Sequence, residues 1–256
     1  MSKAIVLIDG ENFQKKVEEV LIAESVKFSS ANLLDIKLKD LISNVFKPYG
    51  KISISEINYY SAKLSVYKFT QKKSLQLIAD QRHLKTSLET QDINFIIAGN
   101  VRAQEEKDNN GKVKKYTFKE KGVDVRIAVD MVSMACDKKY ETIILCSSDS
   151  DIQPAVAEAK KRGSKVVYLG FSLNPNKGLM YTTNQSVLFR NPEIISAVSW
   201  SVFYSHTVLI FNSVGVIFKR FNKEPNDKSF SVIGCKTVSS GSLFHILIFL
   251  SKKVYL

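Results

Sequence analysis

The chain has 256 residues, 45% of them hydrophobic, and a formal net charge of +12 from 37 Lys and Arg against 25 Asp and Glu. This length and hydrophobic content are enough for one domain of ordinary size plus an appendage, and stabilising disulfides or zinc sites are not needed. Cys136, Cys146 and Cys235 have no pairing or C-x-x-C spacing, which indicates a reducing compartment and a cytoplasmic protein. The basic excess favours a polyanionic partner, above all nucleic acid.

Strand and helix patterns alternate along the first part of the chain. Short runs rich in β-branched residues predict strands that are buried on both faces, and apolar residues at helical spacing predict helices. Ser29, Ser30 and Asn32 are candidate caps of the second helix. The predicted elements are a strand at 4–9, helices at 12–24 and 31–46, a strand at 51–60, a helix at 67–90 and a strand at 93–99.

A polar, charged segment at residues 100–122 interrupts this order. Its centre is Asp-Asn-Asn-Gly, and two extended arms around an Asn-Gly turn predict a protruding hairpin. Strands that alternate with helices predict a three-layer α/β domain of the Rossmann-like kind with a central parallel sheet. The later predicted elements are a helix at 123–140, a strand at 142–147, a helix at 152–163 that ends on Gly163, and a strand at 165–171.

The character of the chain changes after Arg190. Residues 194–218 contain no Asp, Glu, Lys or Arg, a run long enough to span a bilayer. Serines, His206 and Asn212 interrupt the run, so we expect no contact with a membrane. We therefore predict a domain at residues 1–192 and an irregular or β-rich C-terminal tail at residues 193–256.

Acidic residues stand where predicted strands end. Asp9 closes the first strand, Asp149 and Asp151 follow the fourth, and Asp124 opens the helix after the hairpin. The functional crevice of an open parallel sheet lies outside the carboxyl ends of its strands, so these side chains are expected to converge. Gathered carboxylates repel one another, and Mg²⁺ or Mn²⁺ bound by their oxygens would remove that conflict. Such a metal can orient a phosphate and activate water, which indicates phosphodiester hydrolysis.

Each acidic position also has a purely structural interpretation. Asp9 can mark a strand-to-helix turn in which Asn12 caps the next helix. Ser150 or Asp151 can be the N-cap of the helix near residue 152, and Asp124 can interact with a helix dipole. The joint placement of these residues at one predicted sheet edge favours the functional interpretation.

Three motifs, IDGEN, KGVDVRIAVDM and CSSDSDIQPAVAEAKKRGSKVVYLG, resemble those of NYN domains in the LabA-like branch of the PIN-like nuclease superfamily. The similarity covers residues 3–190 in the expected order, and it implies a PIN-like fold and metal-dependent hydrolysis of RNA. Ser148, before the two aspartates, and Asp130, on the helix of Asp124, are candidate outer-shell residues. By position, the resemblance implies catalytic roles for Asp9, Asn12, Asp124, Asp149 and Asp151, with the four aspartates as ligands of Mg²⁺ or Mn²⁺.

One departure from the family concerns the segment after the fifth strand. The family commonly has an apolar helix with a further aspartate there, whereas this chain has Asn184 or Gln185 near that place. An amide would weaken a metal cluster.

The hairpin is the expected contact for RNA, because it mixes cations with aromatic rings that can stack on unpaired bases. Acidic residues in the same arms reduce the net positive charge of the hairpin. The alternative is therefore that its cations are ordinary solvated surface charges that do not bind RNA. The candidate RNA-binding residues are Arg102, Lys114, Lys115, Tyr116 and Lys121.

The sequence therefore predicts an Mg²⁺- or Mn²⁺-dependent (endo)ribonuclease that acts on single-stranded RNA, with a homodimer as one arrangement. A catalytically inactive RNA-binding or regulatory module of the same fold is the alternative, supported by the missing aspartate. A phosphatase acting on small phosphate esters is a third hypothesis, which the absence of a D-x-D pair after the first strand disfavours.

Overall fold

The alternating patterns build a seven-stranded sheet with helices on both faces in a computed structural model of the protein. The structure describes residues 2–28, 33–50, 52–107, 113–205, 207–212, 215–220 and 231–234. The chain divides into two compact units, Met1–Val198 and Ser199–Leu256. The sheet belongs to the first unit, and a separate hydrophobic core covers each of its faces. The predicted three-layer α/β class is confirmed.

The elements of the first unit follow one another with short connections. The strands of its sheet are β1 (Ser2–Asp9), β2 (Ile52–Lys63), β3 (Asn94–Lys107), β4 (Val113–Lys121), β5 (Thr142–Cys146), β6 (Lys165–Phe171) and β7 (Gln185–Phe189). The helices are α1 (Gly10–Ala23), α2 (Leu38–Phe46), α3 (Gln71–Glu89), α4 (Val123–Cys136), α5 (Gln153–Lys161) and α6 (Lys177–Thr182), and a further helix, α7 (Asn191–Ser205), begins in this unit and ends beyond residue 198.

The order of the strands is β4-β3-β2-β1-β5-β6-β7, and every neighbouring pair is parallel except β3 and β4. The chain moves outward from β1 through β2 to β3 and β4, and then returns to the other side of β1 as β5. This reversal is a topological switch point, where the loops at the carboxyl ends of two neighbouring strands diverge and leave a crevice. The crevice lies between β1 and β5.

Strand β1 is the centre of the sheet and is buried on both faces. Residues 4–8 have no exposed surface. Ala4, Val6 and Ile8 pack in the core under α1, whereas Ile5 and Leu7 pack in the core under α4. Since successive side chains of a strand point to opposite faces, a continuous apolar run is the pattern of a strand covered on both sides.

Two predicted boundaries were wrong. The helix predicted at 31–46 begins only at Leu38, because residues 35–37 leave the helical conformation, and its expected caps are not among the described residues. The third strand and the first arm of the hairpin are one strand, β3, which continues past Gly99 because that glycine adopts a φ of +68°. The hairpin is therefore an extension of the sheet.

Helix α7 was not expected from the sequence, and the predicted boundary between residues 192 and 193 falls inside it. Pro192 stands near its start, where the missing N–H is harmless, and Ile194, Ala197 and Val198 are buried at helical spacing. The second unit contains an antiparallel sheet of β8 (Thr207–Asn212), β9 (Gly215–Arg220) and β10 (Ser231–Gly234). Among the described residues, no helix combines the length and the apolar character needed to cross a membrane.

Candidate functional site

Asp9 lies at the carboxyl end of β1 and caps helix α1. The backbone N–H of Asn12 donates to Asp9 Oδ1 at 3.1 Å, and Asn12 Nδ2 donates to Asp9 Oδ2 at 2.6 Å. The N-cap of α1 is thus Asp9 and not Asn12. Asn12 instead donates one hydrogen bond to each carboxylate oxygen of Asp9. Asp9 is only 3% exposed, so the side chain is fixed in one orientation.

The loop after β5 joins the same hydrogen-bond network. Ser147 Oγ donates to Asp9 Oδ2 at 3.4 Å and accepts from the backbone N–H of Asp149 at 3.1 Å. The Asp149 carboxylate accepts from the backbone N–H of Asp151 at 2.9 Å, which makes Asp149 the cap of a short 3₁₀ turn before α5. Neither Ser150 nor Asp151 is this cap. The residues from the first and third motifs are therefore adjacent in space.

Ser148 connects the network to the loop after β6. Its Oγ donates to Asn12 Oδ1 at 2.9 Å, and its carbonyl oxygen accepts from Asn176 Nδ2 at 2.8 Å. Asn176 is also the N-cap of α6, since its Oδ1 accepts from the backbone N–H of Leu179 at 2.9 Å. The sequence analysis missed Ser147 as a bridge and Asn176 altogether. The place of Ser147 inside the third motif was an available signal.

The electrostatic environment of Asp9 opposes its ionised form. Burial raises the pKa of Asp9, the hydrogen bonds from Asn12 lower it, the charge of Glu11 raises it, and the hydrogen bond from Ser147 lowers it, with a raised pKa as the net result. In the described part of the chain, no Lys, Arg or His forms an ion pair with Asp9. A carboxylate in such surroundings favours any ligand that brings positive charge.

Glu120 is a further acidic residue of this edge, which the sequence analysis did not single out. Burial first, and then the charges of Glu11 and Asp9, raise its pKa to about 7, although a hydrogen bond from the backbone N–H of Ala62 at 3.2 Å and the charge of Lys15 lower it. Glu120 comes near Asp9 because β4 pairs with β3. The position of Glu120 therefore depends on the register of the hairpin. No local pattern in the sequence reveals that register.

Asp124 lies in the first turn of α4, after Gly122, whose φ is +88°. It lines a cavity of about 550 Å³ together with Asp151. The remaining lining of that cavity is mostly apolar and comes from α4 and the start of α5. Asp124 thus lies beside one end of the network, and no described residue forms a hydrogen bond with its side chain. Of the four predicted aspartates, Asp9, Asp149 and Asp151 are linked by hydrogen bonds through Ser147 and the backbone, and Asp124 lines a cavity with Asp151 alone of the three.

A protein-family model described as NYN domain matches residues 3–187. The chain belongs to the NYN domain family. This family is part of the PIN-like nuclease superfamily, so the family predicted from the three motifs is confirmed. The network described above lies inside the NYN domain.

Two relatives are similar to parts of the chain. Over 48 residues the chain is 40% identical to an uncharacterized protein from Methanocaldococcus jannaschii, a match that covers 19% of this chain and 20% of that protein. The chain therefore spans about a fifth of the curated relative that it matches. The crystal structure of a protein of unknown function from Vibrio parahaemolyticus matches with a TM-score of 0.41 and 16% identity, covering 73% of this chain and 92% of that chain.

The oxygen donors at the edge of the NYN domain suit a hard divalent cation. No three His, Cys, Asp or Glu side chains among the described residues are grouped so that they could hold a metal ion together. Mg²⁺ is commonly bound through one or two carboxylates, with waters and substrate phosphates completing its coordination. Asp9 and Asp149 fit that mode, because they supply carboxylate oxygens and Asp9 is a buried acid that forms no ion pair with another described residue.

Asp130 has partners outside the network. Its carboxylate accepts from the Tyr60 hydroxyl at 2.9 Å and from Arg126 Nε at 2.8 Å. The Tyr60 contact ties α4 to β2, and the Arg126 contact lies within α4. No hydrogen bond in the described part of the NYN domain connects Asp130 with Asp9 or Asp149.

The expected position of Asn184 and Gln185 near the acidic cluster is wrong. Asn184 Oδ1 accepts from the backbone N–H of Val166 at 2.9 Å, and Gln185 pairs with Val167 at the start of β6. Both amides therefore lie at the amino edge, about 13 Å of strand away from the carboxyl edge. The segment forms strand β7 instead of a helix, because its residues alternate between the two faces of an edge strand. The amide that the segment after β6 contributes to the site is that of Asn176.

Aromatic side chains join the hairpin to the start of α3. The rings of Phe69 and Tyr116 are stacked with centroids 5.9 Å apart, and Phe69 is 72% exposed. Arg102 and Lys121 are exposed on the arms. Lys114 and Lys115 belong to β4, but their side chains are not among those that the structure describes. The predicted mixture of cations and rings is present, and Phe69 adds a ring from outside the hairpin.

Proposed function

We propose that the protein is a metal-dependent ribonuclease that hydrolyses single-stranded RNA at the carboxyl edge of β1 and β5. The observation that carries this proposal is the chain of hydrogen bonds from Asn12 and Ser147 to the buried carboxylate of Asp9. This acid has a raised pKa and no ion-pair partner in the described part of the chain. Membership of a family within the PIN-like nucleases supports RNA as the substrate.

Mg²⁺ or Mn²⁺ would be held by Asp9 and Asp149, with Asp151 and Asp124 beside it. When bound, the metal supplies positive charge at a phosphate oxygen and lowers the pKa of a water molecule. Asn12 and Ser147 orient the Asp9 carboxylate, and Ser148 fixes the amide of Asn12. This arrangement keeps the ligand oxygens in place before RNA arrives, which is the main contribution that a rigid site makes to phosphoryl transfer.

An RNA-binding module without turnover is the second candidate. The observation that favours it is the absence, within the described ranges, of three acidic side chains grouped around one point. The LabA-like branch, an endonucleolytic cut, the single-stranded substrate, the cytoplasmic location and the homodimer stay predictions.

The test is an RNA cleavage assay with Mn²⁺ or Mg²⁺ on the wild type and on a variant that combines Asp149→Asn with Asp151→Asn. We expect cleavage by the wild type and a loss of about 10³-fold in the variant. Equal cleavage by both proteins would assign the activity to another site or to a contaminant. Binding of RNA by both without cleavage would favour the module without turnover.

A further inference from the structure

A second cavity opens next to the network, on the hairpin side. It has a volume of about 250 Å³ and lies among α1, α3, the end of β2 and the hairpin. Gly10, the residue after Asp9, forms part of its wall, and the buried Tyr59 hydroxyl donates to the Gly10 carbonyl oxygen at 3.1 Å. Because pockets for drug-sized ligands begin at about 300 Å³, this cavity suits a smaller group, such as one nucleobase.

The charges in the wall exclude a phosphate as the occupant. Glu11, Asp80 and Glu120 line the cavity, and its lining contains no Lys or Arg. Lys15 pairs with Glu11 at 2.5 Å but does not line the cavity, so a phosphate inside it would meet three acidic side chains and no lining cation. A base is uncharged, so it avoids this repulsion.

One part of the wall is apolar and can contact the face of a flat ring. Phe118 lies in this part, and its ring makes an edge contact with Tyr67 at a centroid distance of 5.8 Å. Tyr67 is held in turn by a hydrogen bond from its hydroxyl to the Val101 carbonyl oxygen. Aliphatic side chains complete the apolar part, namely Leu34, Leu64, Leu77, Leu84 and Val101.

The polar part of the wall offers mainly hydrogen-bond acceptors. Gln81 Nε2 donates to Ser61 Oγ and to the Ala62 carbonyl oxygen, both at 2.8 Å, which occupies the amide donors and leaves Oε1 as an acceptor. Glu120 Oε2 accepts from the backbone N–H of Ala62, which leaves its second oxygen for a ligand. Within the described ranges, no donor is bonded to Gln81 Oε1 or Glu120 Oε1. Acceptors select a partner that brings donors.

We propose that this cavity is a base-recognition subsite, in which Gln81 and Glu120 select an unpaired base that carries an exocyclic amino group. Adenine, cytosine and guanine present such donors, whereas uracil does not. The subsite deepens the proposed function and rests on it for the position of the neighbouring phosphate at Asp9. Recognition of the base itself does not require cleavage.

The experiment measures binding without turnover. Fluorescence anisotropy in EDTA compares labelled A, C and U decanucleotides on the wild type, Glu120→Gln and Gln81→Leu. Gln71→Leu is the matched control, because Gln71 is exposed on the same helix and is not part of the cavity. We expect the wild type to bind the A and C strands about tenfold more tightly than the U strand. Both cavity variants should lose this preference, and the control should keep it.

Several outcomes would overturn the subsite. These are equal affinity of the wild type for the three strands, no binding of any strand, or a preference that survives in Glu120→Gln, which is isosteric and should fold even where Gln81→Leu does not. The cleavage assay is read separately. Cleavage without base preference would refute the subsite but not the proposed function. Base preference without cleavage would refute the proposed function but not the subsite.

Discussion

Asp9 and Glu56 are acidic residues on the neighbouring strands β1 and β2, and their surroundings have opposite effects on their charge. Burial raises the pKa of Asp9, and no cation in the described part of the chain pairs with it. Burial also raises the pKa of Glu56, but hydrogen bonding from the Tyr140 hydroxyl and the charge of Lys139, whose Nζ is 3.7 Å away, lower it overall.

The difference between the two residues separates a structural acid from the acid that we propose to be functional. Glu56, in the amino-edge half of β2, has the partners that stabilise its ionised form, so its charge is part of the fold. Asp9 has hydrogen-bond donors that orient it, but no cation among the described residues forms an ion pair with it. The ionised form of Asp9 at the carboxyl edge is therefore destabilised, as expected where a ligand completes the site.

The largest expected effect distinguishes these two acids directly. Asp9→Asn should lower RNA cleavage by about 10²–10³-fold, because the variant loses a charged ligand oxygen, while the new amide oxygen can still cap α1. Its melting temperature at neutral pH should rise, because a native pKa above the unfolded value means that ionised Asp9 destabilises the fold. Cleavage rates and thermal unfolding measure the two effects.

Glu56→Gln is the matched control. It should leave cleavage within about twofold of the wild type and lower the stability by about 1 kcal/mol, since a partly exposed charged hydrogen bond is lost. A loss of cleavage in Glu56→Gln similar to that in Asp9→Asn would contradict the division between the two acids.

A second pair of variants extends the comparison to the amides of the two edges. Asn176→Ala removes the donor to the Ser148 carbonyl and the cap of α6, and it should lower cleavage by about tenfold. Asn184→Ala also removes an amide that bonds to the backbone, but at the amino edge, and it should leave the cleavage rate unchanged. Equal losses in the two variants would refute a site restricted to the carboxyl edge.

Positive charges give a third comparison. Arg102→Ala combined with Lys121→Ala should weaken the binding of single-stranded RNA severalfold and reduce the slope of log K against log salt concentration by about 1.4. Lys3→Ala combined with Lys165→Ala removes the same charge near the amino edge and should have little effect. Titrations at several salt concentrations check this, and a similar loss in both double variants would indicate attraction by net charge alone.

The smallest effect concerns stability and pH. The pKa of Glu120 is raised from 4.5 to about 7 in the fold, so the native state binds more protons than the unfolded chain between these values. Stability should therefore fall as the pH rises through this window. Glu120→Gln should raise the melting temperature above pH 7 by about 2–4 °C, because solvent screening limits the effect to about 1 kcal/mol. The gain should vanish below the unfolded pKa.

Glu158→Gln is the control for that experiment, since Glu158 is a partly exposed acid and its bond from Arg162 lowers its pKa. It should give no gain in melting temperature at any pH. A gain equal to that of Glu120→Gln would show that loss of negative charge alone stabilises the protein.

The α/β class with a central parallel sheet and the position of the aspartates at the ends of strands could be predicted because both depend on local patterns. The apolar run before Asp9 and the run before Asp149 each identify a buried parallel strand, and the carboxyl ends of such strands share one edge. Glu120 and Gln81 could not be predicted. They reach the site through the pairing of β3 with β4 and the packing of α3, and neither interaction leaves a periodic signal near those residues.

The other wrong prediction placed Asn184 or Gln185 near a family acidic position, by matching the segment that follows the fifth strand. Distance along the chain cannot distinguish the two edges of a parallel sheet, because every crossover passes both. Asn176 precedes α6 and stays at the carboxyl edge, whereas Asn184 follows α6 and has already crossed to the amino edge.

The antiparallel pairing of β3 and β4 has a consequence for how this protein can diversify. The ladder runs from Asn100 opposite Lys121 to Lys107 opposite Val113, and its base is the close approach of Gly99 to the Lys121 carbonyl. Adding two residues to each arm would lengthen the ladder without turning any side chain to the other face. Selection for larger or smaller substrates could therefore act on the tip alone and leave the chemistry at its base untouched.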